Sequence, residues 1–353
     1  MPFPAVFNLS SLNGTNGFAI NGINVNDLSG SSVSNAGDIN GDGFDDIIIG
    51  ASGADINGYY SGQSYVVFGK SGGFSSSLNL SSLNGTNGFA INGIYGGDFS
   101  GYSVSSAGDV NGDGFDDLII GAPFASSDSY SSRSGQSYVV FGKSGGFSSS
   151  FNLSSLNGTN GFALNGISAD DESGYSVSSA GDVNGDGFDD LIIGAHGASF
   201  YDPWGFYNSG QSYVVFGKSG GFSSSFDLST LNGTNGFKIN GINDFDFSGD
   251  CVSSAGDVNG DGFDDLFISA RFASLYGYDF GQSYVVFGKS SGFSSSFNLS
   301  TLNGTNGFAI DGTYFDNYSG SSIISFFKSY ARDRKVETRH GASLQRFGVS
   351  YDY

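Results

Sequence analysis

The chain has 353 residues, of which 59 are Gly and only 4 are Pro, and aromatic residues make up 16%. This composition is too aromatic for a disordered segment and too rich in Gly for long helices, so we expect an all-β domain with many tight turns. The net charge of −21 argues against nucleic acid or an anionic membrane face as a partner. No apolar stretch reaches the roughly 18 residues of a membrane span, so none is expected.

Internal repetition begins almost at once and continues to about residue 323. The N-terminus, Met1 to Phe7, has no basic region and no long apolar core, so no secretory signal is visible. The string Asn13 to Phe18 then recurs from Asn84, Asn157, Asn232 and Asn303, at spacings of 71, 73, 75 and 71 residues. We therefore divide the chain into units 7–77, 78–150, 151–225 and 226–296, a truncated fifth unit 297–323 and an atypical basic tail 324–353.

Each unit is predicted to form four short strands, A to D. One such set is A, Tyr102–Ser106; B, Asp117–Ile120; C, Gln136–Phe141; and D, Gly161–Gly166. Four strands in about 72 residues, repeated around an axis, predict the blades of a β-propeller. A solenoid is the competing geometry, which units this long with meander-like turns disfavour.

A nine-residue loop joins strands A and B, Asp109-Val110-Asn111-Gly112-Asp113-Gly114-Phe115-Asp116-Asp117, and it returns at 38–46, 182–190 and 257–265. Oxygen side chains fall at positions one, three, five and nine, and the Phe at position seven offers only its backbone carbonyl. Glycines at positions four and six let the backbone curl around a centre, and such a ring of hard oxygens suits Ca²⁺. The alternative, an Asx/Gly turn that binds nothing, leaves three carboxylates repelling each other.

The sequence here resembles the FG-GAP repeats of the integrin α-subunit N-terminal propeller and their bacterial relatives. Phe99 to Val104 looks like the "FG" element with one insertion, and Gly121-Ala122-Pro123 is the "GAP" element. The other units give the weaker Gly50-Ala51-Ser52, Gly194-Ala195-His196 and Ser269-Ala270-Arg271. The resemblance implies about four structural Ca²⁺ ions, with side chains at positions one, three, five and nine and the carbonyl at seven as ligands. The implied ligands are Asp38, Asn40, Asp42, Phe44, Asp46, Asp109, Asn111, Asp113, Phe115, Asp117, Asp182, Asn184, Asp186, Phe188, Asp190, Asp257, Asn259, Asp261, Phe263 and Asp265.

The repeat number departs from the seven blades of the family. Four complete units and the start of a fifth predict an incomplete or open propeller. Alternatively, the first strand D, Gly17–Gly22, which has no strands A to C before it, could complete the last blade. The single cysteine, Cys251, stands where Ser32, Ser103 and Ser176 stand, and is expected to be a small buried residue.

The B–C and D–A connections vary between units, whereas the metal loops and C–D connections are nearly copies. In an antiparallel meander both variable connections leave on one face, where loops carry recognition on a fixed scaffold. The most distinctive one, Ser199 to Tyr207, supplies the candidate ligand-binding residues Tyr201, Asp202, Trp204 and Tyr207, suited to a sugar or a protein side chain. These rings could instead fold back onto the blade.

No nucleophile elbow, phosphate loop or histidine-containing metal motif is present, so the chain is not expected to be an enzyme. We expect a calcium-stabilised binding or adhesion module, extracellular or at the cell surface, for a protein or carbohydrate ligand. An accessory propeller region of an extracellular hydrolase or lyase, or a truncated fragment without activity, is the alternative. Six of the 13 Lys and Arg residues lie between Lys328 and Arg346, within the basic tail.

Overall fold

The structure is a computed structural model that describes residues 6–126, 133–199, 208–275 and 278–312. Within these residues the protein is all-β, and its only helices are 3₁₀ turns of three residues each, far below the length of a membrane-crossing helix. The strands are β1 Ala19–Asn21, β2 Ser32–Gly37, β3 Asp46–Ala51, β4 Gln63–Val67, β5 Ser77–Asn79, β6 Gly88–Asn92, β7 Ser103–Gly108, β8 Asp117–Ala122, β9 Gln136–Val140, β10 Ser150–Asn152, β11 Gly161–Asn165, β12 Ser176–Gly181, β13 Asp190–Ala195, β14 Gln211–Val215, β15 Ser225–Asp227, β16 Gly236–Asn240, β17 Val252–Gly256, β18 Asp265–Ala270, β19 Ser274–Leu275, β20 Tyr278–Asp279, β21 Gln282–Val286, β22 Ser296–Asn298 and β23 Gly307–Asp311.

Four antiparallel sheets form the blades, each in the predicted order A, B, C, D. Blade 1 is β2-β3-β4-β6, blade 2 is β7-β8-β9-β11, blade 3 is β12-β13-β14-β16 and blade 4 is β17-β18-β21-β23. The A strands β2, β7, β12 and β17 pack beside one another in sequence. The described sheets do not close into a ring, so the protein is an open propeller.

The hydrophobic core lies between neighbouring blades rather than inside any one sheet. Between blades 1 and 2, for example, Val66 and Phe89 of blade 1 share a buried cluster with Val104, Leu118 and Ile120 of blade 2. The B strands of the two inner blades, β8 and β13, are buried along their whole length because both faces meet another blade, which explains their continuous apolar runs. Burying one such side chain stabilises the fold by roughly 1.5–3 kcal/mol.

The C–D connection contains a short strand that is not among the four strands predicted for each unit. The strands β5, β10, β15 and β22 lie there, each followed by a 3₁₀ turn: Leu80–Ser82, Leu153–Ser155, Leu228–Thr230 and Leu299–Thr301. Each pairs in parallel with the D-type strand of the preceding unit, as β10 does with β6 and β15 with β11. A fifth 3₁₀ turn, Leu9–Ser11, precedes β1. The connection therefore joins each blade to the next.

The first D-type strand, β1, does not complete the last blade. It pairs in parallel with β5, through Ala19 with Ser77 and Ile20 with Leu78. The outer position of blade 4 is filled by β23, which pairs antiparallel with β21. The expectation that residues 17–22 could close the propeller is therefore wrong, because the last blade has its own strand D.

Loops gather by type on the two faces of the blades. The B–C and D–A connections bond to each other, as in Phe99 N to Tyr60 O (3.0 Å) and Phe247 N to Asn208 O (3.1 Å). The A–B loops contact the next blade instead, as in Asp38 N to Asp116 Oδ2 (2.8 Å). We call the side bearing the B–C and D–A connections the variable face and the side bearing the A–B loops the acidic face.

Candidate calcium loops and variable face

The first Asp of each A–B loop organises the loop backbone. In the second loop, Asp109 Oδ1 accepts hydrogen bonds from Gly112 N (2.7 Å) and Asp113 N (3.0 Å), and its Oδ2 accepts one from Gly114 N (2.9 Å). The two glycines have φ of 73° and 90°, a left-handed conformation that favours Gly. Equivalent bonds form from Asp38, Asp182 and Asp257.

The oxygens at positions three and five also turn towards the loop. Asn111 Oδ1 accepts from Asp113 N (2.8 Å), and Asp113 Oδ1 accepts from Phe115 N (3.1 Å). In the fourth loop, Asn259 Nδ2 additionally donates to Asp261 Oδ2 at 2.9 Å. These side chains therefore lie along one tight turn, as the Asp-Asn-Asp spacing predicts, and the second loop illustrates an arrangement present in all four.

The Asp at position nine is buried and joins the loop to strand C. Asp117 Oδ1 accepts from Gly142 N (2.9 Å) and its Oδ2 from Val110 N (3.1 Å). The pKa of Asp117 is raised to about 8, mainly by burial and also by the nearby carboxylates of Asp113 and Asp109, against the opposing effect of the two hydrogen bonds. Burial likewise raises the pKa of Asp190 to about 8 and that of Asp46 to about 7. A negative charge at this position is therefore costly unless a cation compensates it.

Positions seven and eight of the loop connect the blades, a role that the sequence does not predict. The ring of Phe115 packs against Gly41 of the preceding loop so closely that a Cβ on that glycine would collide with it. Phe188 meets Gly112 and Phe263 meets Gly185 in the same way. Position eight accepts from the preceding loop, as Asp189 Oδ2 does from Asp109 N at 2.8 Å. The Gly at position four is the sequence feature that could have indicated this contact, since it makes room for the ring of the next loop and also permits the turn.

The donor set of each loop fits a hard cation. Each loop offers three carboxylates, one amide oxygen and one carbonyl, the ligand types that Ca²⁺ takes. None of the twelve ligand-position acids, all within the described residues, forms an ion pair with a basic side chain. Asp46 Oδ2 is buried without a hydrogen-bond partner. Among the described residues, no group of three or more Asp, Glu, His or Cys side chains lies close enough together to hold a metal ion.

The variable face carries a second group of charged side chains, centred on His196. Its Nε2 lies 2.8 Å from Glu172 Oε2 and its Nδ1 lies 3.2 Å from Asp250 Oδ1, while Arg271 Nε lies 3.3 Å from the same Asp250 oxygen. Burial lowers the pKa of His196, but the hydrogen bonds to Asp250 and Glu172 and the negative charges of these two carboxylates together outweigh this, so its pKa lies above the ordinary value. The histidine follows β13 of blade 3 and the aspartate precedes β17 of blade 4, so the group links two blades.

Aromatic rings continue from this group across the variable face. Tyr175 stacks on His196 with centroids 3.6 Å apart. Successive ring contacts of 3.6–6.1 Å join blade 1 to blade 4 in the order Tyr59, Tyr60, Phe99, Phe124, Tyr102, Tyr175, His196, Phe247 and Phe272. The candidate ligand residues Tyr201, Asp202, Trp204 and Tyr207 lie outside the described residues, in the connection that begins just after His196.

Comparison with known proteins identifies the repeats. FG-GAP repeats match at residues 29–67, 100–140, 173–215 and 252–286, each covering strands A to C of one blade. The chain therefore contains four FG-GAP repeats. The match to FG-GAP repeats includes every A–B loop described above, from strand A through the acidic turn to strand C.

Curated proteins are also similar to parts of this chain. The chain is 33% identical to human phosphatidylinositol-glycan-specific phospholipase D over 166 residues, which is 45% of this chain and 17% of the relative. It is 31% identical to mouse integrin alpha-IIb over 170 residues, which is 46% of this chain and 14% of the relative. It is 32% identical to chicken integrin alpha-V over 170 residues, which is 45% of this chain and 14% of the relative. The matches thus span less than a fifth of each of these relatives.

Proposed function

We propose that the protein is a calcium-stabilised binding or adhesion module that recognises a protein or carbohydrate through its variable face. About four Ca²⁺ ions would be held by the A–B loops, through the side chains at positions one, three, five and nine and the carbonyl at seven. The observation that carries this proposal is that four copies of one hard-oxygen loop lie on one face, while the connections that differ between units lie on the other.

The calcium part rests on uncompensated charge. Each loop places three proposed ligand carboxylates within nine residues and buries one of them, Asp46, Asp117, Asp190 or Asp265, with no basic partner in the described structure. A bound divalent cation would offset both the repulsion and the burial. Sites with this ligand set and flexibility are expected to bind in the range of about 10⁻⁵ to 10⁻³ M, which suits an extracellular protein.

A calorimetric titration with Ca²⁺ tests this part. The unchanged chain should bind about four ions, and Asp42→Asn should lose or weaken one site by roughly tenfold because a ligand charge is removed. Asp45→Asn is the matched control: it makes the same charge change in the same loop at a position that is not a proposed ligand. Equal calcium binding by D42N and the unchanged chain would contradict the ligand assignment.

The recognition part is supported by the aromatic series and by the variation of the loops. Tyr59 is 68% exposed at one end of the series, and the 199–207 connection begins three residues after His196 in the sequence. Aromatic rings flanked by carboxylates suit stacking on a sugar or packing of a protein side chain. The similarity to integrin α subunits favours a binding or adhesion role.

A glycan array with and without Ca²⁺ tests the carbohydrate class. Binding should fall at least tenfold in Trp204→Ala and remain in Phe44→Ala, which removes a ring from the acidic face instead. Calcium-dependent binding that W204A leaves intact would place recognition elsewhere. An empty array would leave a protein as the ligand, to be sought by cross-linking at the variable face.

The match to the phospholipase D favours a second candidate, an accessory propeller region of an extracellular hydrolase. In that case the chain would bind a substrate without cleaving it. Incubating the chain with any glycan it binds, and analysing the products by mass spectrometry, should show no cleavage. Released product would overturn the expectation that the chain has no enzymatic activity of its own. If no ligand or substrate is bound, a truncated fragment without activity remains the alternative.

A further inference from the structure

The aspartate at position eight of an A–B loop reaches back to the loop of the preceding blade. Asp116 Oδ2, in the second loop, accepts a hydrogen bond from Asp38 N at the start of the first loop (2.8 Å). The equivalent bonds at the next two junctions run from Asp109 N to Asp189 Oδ2 (2.8 Å) and from Asp182 N to Asp264 Oδ2 (3.0 Å). In each case the donor is the backbone of position one, whose side chain is a proposed calcium ligand.

This contact fixes the backbone at the point where the acidic turn begins. Gly37, directly before Asp38, has a φ of 68°, and a Cβ on it would collide with the Asp116 carboxylate. The ring of Phe115 packs against Gly41 further along the same turn, and Gly41 N donates to Asp38 Oδ1 (2.8 Å). Two neighbouring residues of the second loop therefore hold both the start and the middle of the first loop.

Position eight also lies directly between two proposed calcium ligands of its own loop. Asp116 is flanked by Phe115, which offers its carbonyl, and by the buried Asp117, whose carboxylate accepts from Gly142 N and Val110 N. When both flanking residues are fixed in an ordered loop, fewer positions are open to the Asp116 side chain. Order in the second loop can therefore be transmitted to the first loop through this one residue.

The first loop contains a buried oxygen that makes it a sensitive place to observe this effect. Asp46 is 1% exposed and its Oδ2 has no hydrogen-bond partner, whereas Oδ2 of Asp117 and Oδ2 of Asp190 each accept from a backbone N of their own loop at 3.1 Å. An unpaired buried carboxylate oxygen is costly, and a bound cation would offset that cost. Changes that displace the first loop should therefore alter its affinity for Ca²⁺ measurably.

We propose that Asp116, Asp189 and Asp264 are positioning residues, each of which holds the calcium loop of the preceding blade and so couples the calcium sites of neighbouring blades. The proposal rests on the proposed function, because it concerns calcium uptake by the same four loops. An ordered second loop fixes Asp116, and Asp116 then holds the backbone from which the Asp38 side chain organises the first loop. Because coupling between two sites is reciprocal, an occupied first loop also raises the affinity of the second.

Calcium titrations followed by hydrogen exchange and mass spectrometry test the proposal in the first loop. Peptides from this loop can be identified because it alone carries Ile39 where the other three loops carry Val. Their protection as a function of Ca²⁺ concentration gives the calcium midpoint of the first loop. Asp116→Ala, which removes the acceptor, should raise this midpoint by roughly tenfold. Asp116→Asn keeps a side-chain oxygen for Asp38 N and should restore most of the lost affinity.

Asp45→Ala is the matched control, because it makes the same change at position eight of the first loop itself. Asp45 is exposed, and no A–B loop precedes it among the described residues. The calcium midpoint of the first loop in D45A should match that of the unchanged chain. An effect of D45A as large as that of D116A would show that position eight acts on its own loop, which would overturn the assignment.

Removing a calcium ligand of the second loop tests the coupling itself. Asp113→Asn leaves Asp116 in place but weakens the second site, so it should raise the midpoint of the first loop by about fivefold. In the D116A background the same change should have no further effect, because the connecting side chain is absent. Asp261→Asn, the same change in the fourth loop, is the control and should shift the first-loop midpoint by less than about twofold.

The outcomes separate this proposal from the proposed function. A first-loop midpoint that D113N leaves unchanged would overturn the coupling while calcium binding itself persists. An unchanged chain whose loops gain no protection in Ca²⁺ would instead contradict the proposed function, and the coupling with it. Circular dichroism melts confirm that each variant is folded. If D116A does not fold, D113N decides the matter alone, because it alters only an exposed side chain.

Discussion

His196 is the one histidine within the described residues, and it sits between two carboxylates from different blades. Its ring contacts Glu172 and Asp250 and stacks on Tyr175, while Phe247 meets its edge and Arg271 shares Asp250. The protonated ring can satisfy both carboxylates, whereas the neutral ring can donate to only one. Protonation of this one side chain therefore strengthens the junction between blades 3 and 4.

This arrangement predicts a pH dependence with a definite sign. Because the pKa of His196 is raised in the folded state, its contribution is fully present below the unfolded value of about 6.5 and is lost as pH rises through the folded pKa. In urea unfolding with calcium present, the chain should lose on the order of 1–3 kcal/mol between pH 6 and pH 9 through this site. His196→Gln should remove that part of the dependence, and Tyr95→Phe, on an exposed residue of the same face, should not.

A pH profile that is the same in H196Q and the unchanged chain would show that the histidine does not carry it. The sequence alone could not reveal this group. Glu172, His196 and Asp250 lie in three separate connections, and their contact depends on how two blades pack. Sequence identified His196 only as a variable residue in a weak "GAP" element.

At the scale of elements, the A–B loop combines two roles in one sequence motif: it forms the acidic turn, and it contacts the loop of the preceding blade. The oxygen side chains at positions one, three, five and nine, with the two glycines, predict a calcium-type turn because hard oxygens recur at fixed spacing. The blade strands could also be predicted from the sequence, since continuous apolar runs such as Leu118 to Ile120 are typical of buried strands. The short strand β10 could not be predicted from the sequence, because three residues that pair only with another unit carry no periodic signal of their own.

The ring at position seven gives a prediction for the junctions. Phe115→Ala should destabilise the fold by about 1–3 kcal/mol in urea unfolding, because it removes the ring packed against Gly41 of blade 1. Phe44→Ala is the matched control, since Phe44 is 40% exposed and lacks a preceding described loop to pack against. It should cost less than about 0.5 kcal/mol. Equal losses in the two variants would show that the ring stabilises its own loop rather than the junction.

At the scale of the whole molecule, the blades form a linear series in which each contacts mainly its neighbours. Stability is then approximately a sum of blade terms and junction terms, as in other repeat proteins. The open ends should be less stable than the middle, because blade 1 lacks a covering blade on one side and β23 lacks the outer parallel strand that β6, β11 and β16 have within the described residues. The sequence predicts an open propeller, but it does not indicate that β23 rather than β1 forms strand D of blade 4.

Removing calcium is predicted to act on the molecule as a whole. With excess chelator the melting temperature should fall by several degrees, because each saturated site contributes about 2.7 kcal/mol at a hundredfold excess over its Kd. The readout is differential scanning calorimetry with chelator and with added Ca²⁺, with Mg²⁺ as the ion control. An unchanged melting temperature in chelator would remove the structural role that we propose for the ion.

Hydrogen exchange followed by mass spectrometry should show that the middle blades are more stable than the two ends. The amides of β8 and β13, in the middle blades, should exchange at least tenfold more slowly than those of β1 and β23 at the ends, since the middle strands open only with the whole array. Uniform protection from β1 to β23 would indicate one cooperative unit rather than a series.

The parallel strands β5, β10, β15 and β22 have a consequence for synthesis on the ribosome. Blade 1 has its four antiparallel strands once residue 92 has emerged, but its outer edge stays open until residues 150–152 arrive from the next unit. Translation therefore leaves one exposed strand edge at the growing end at every stage, and each new unit covers the edge left by the one before it. A pause in elongation between residues 92 and 150 would prolong the exposure of β6, the stage at which nascent chains of this kind are most open to pairing with one another.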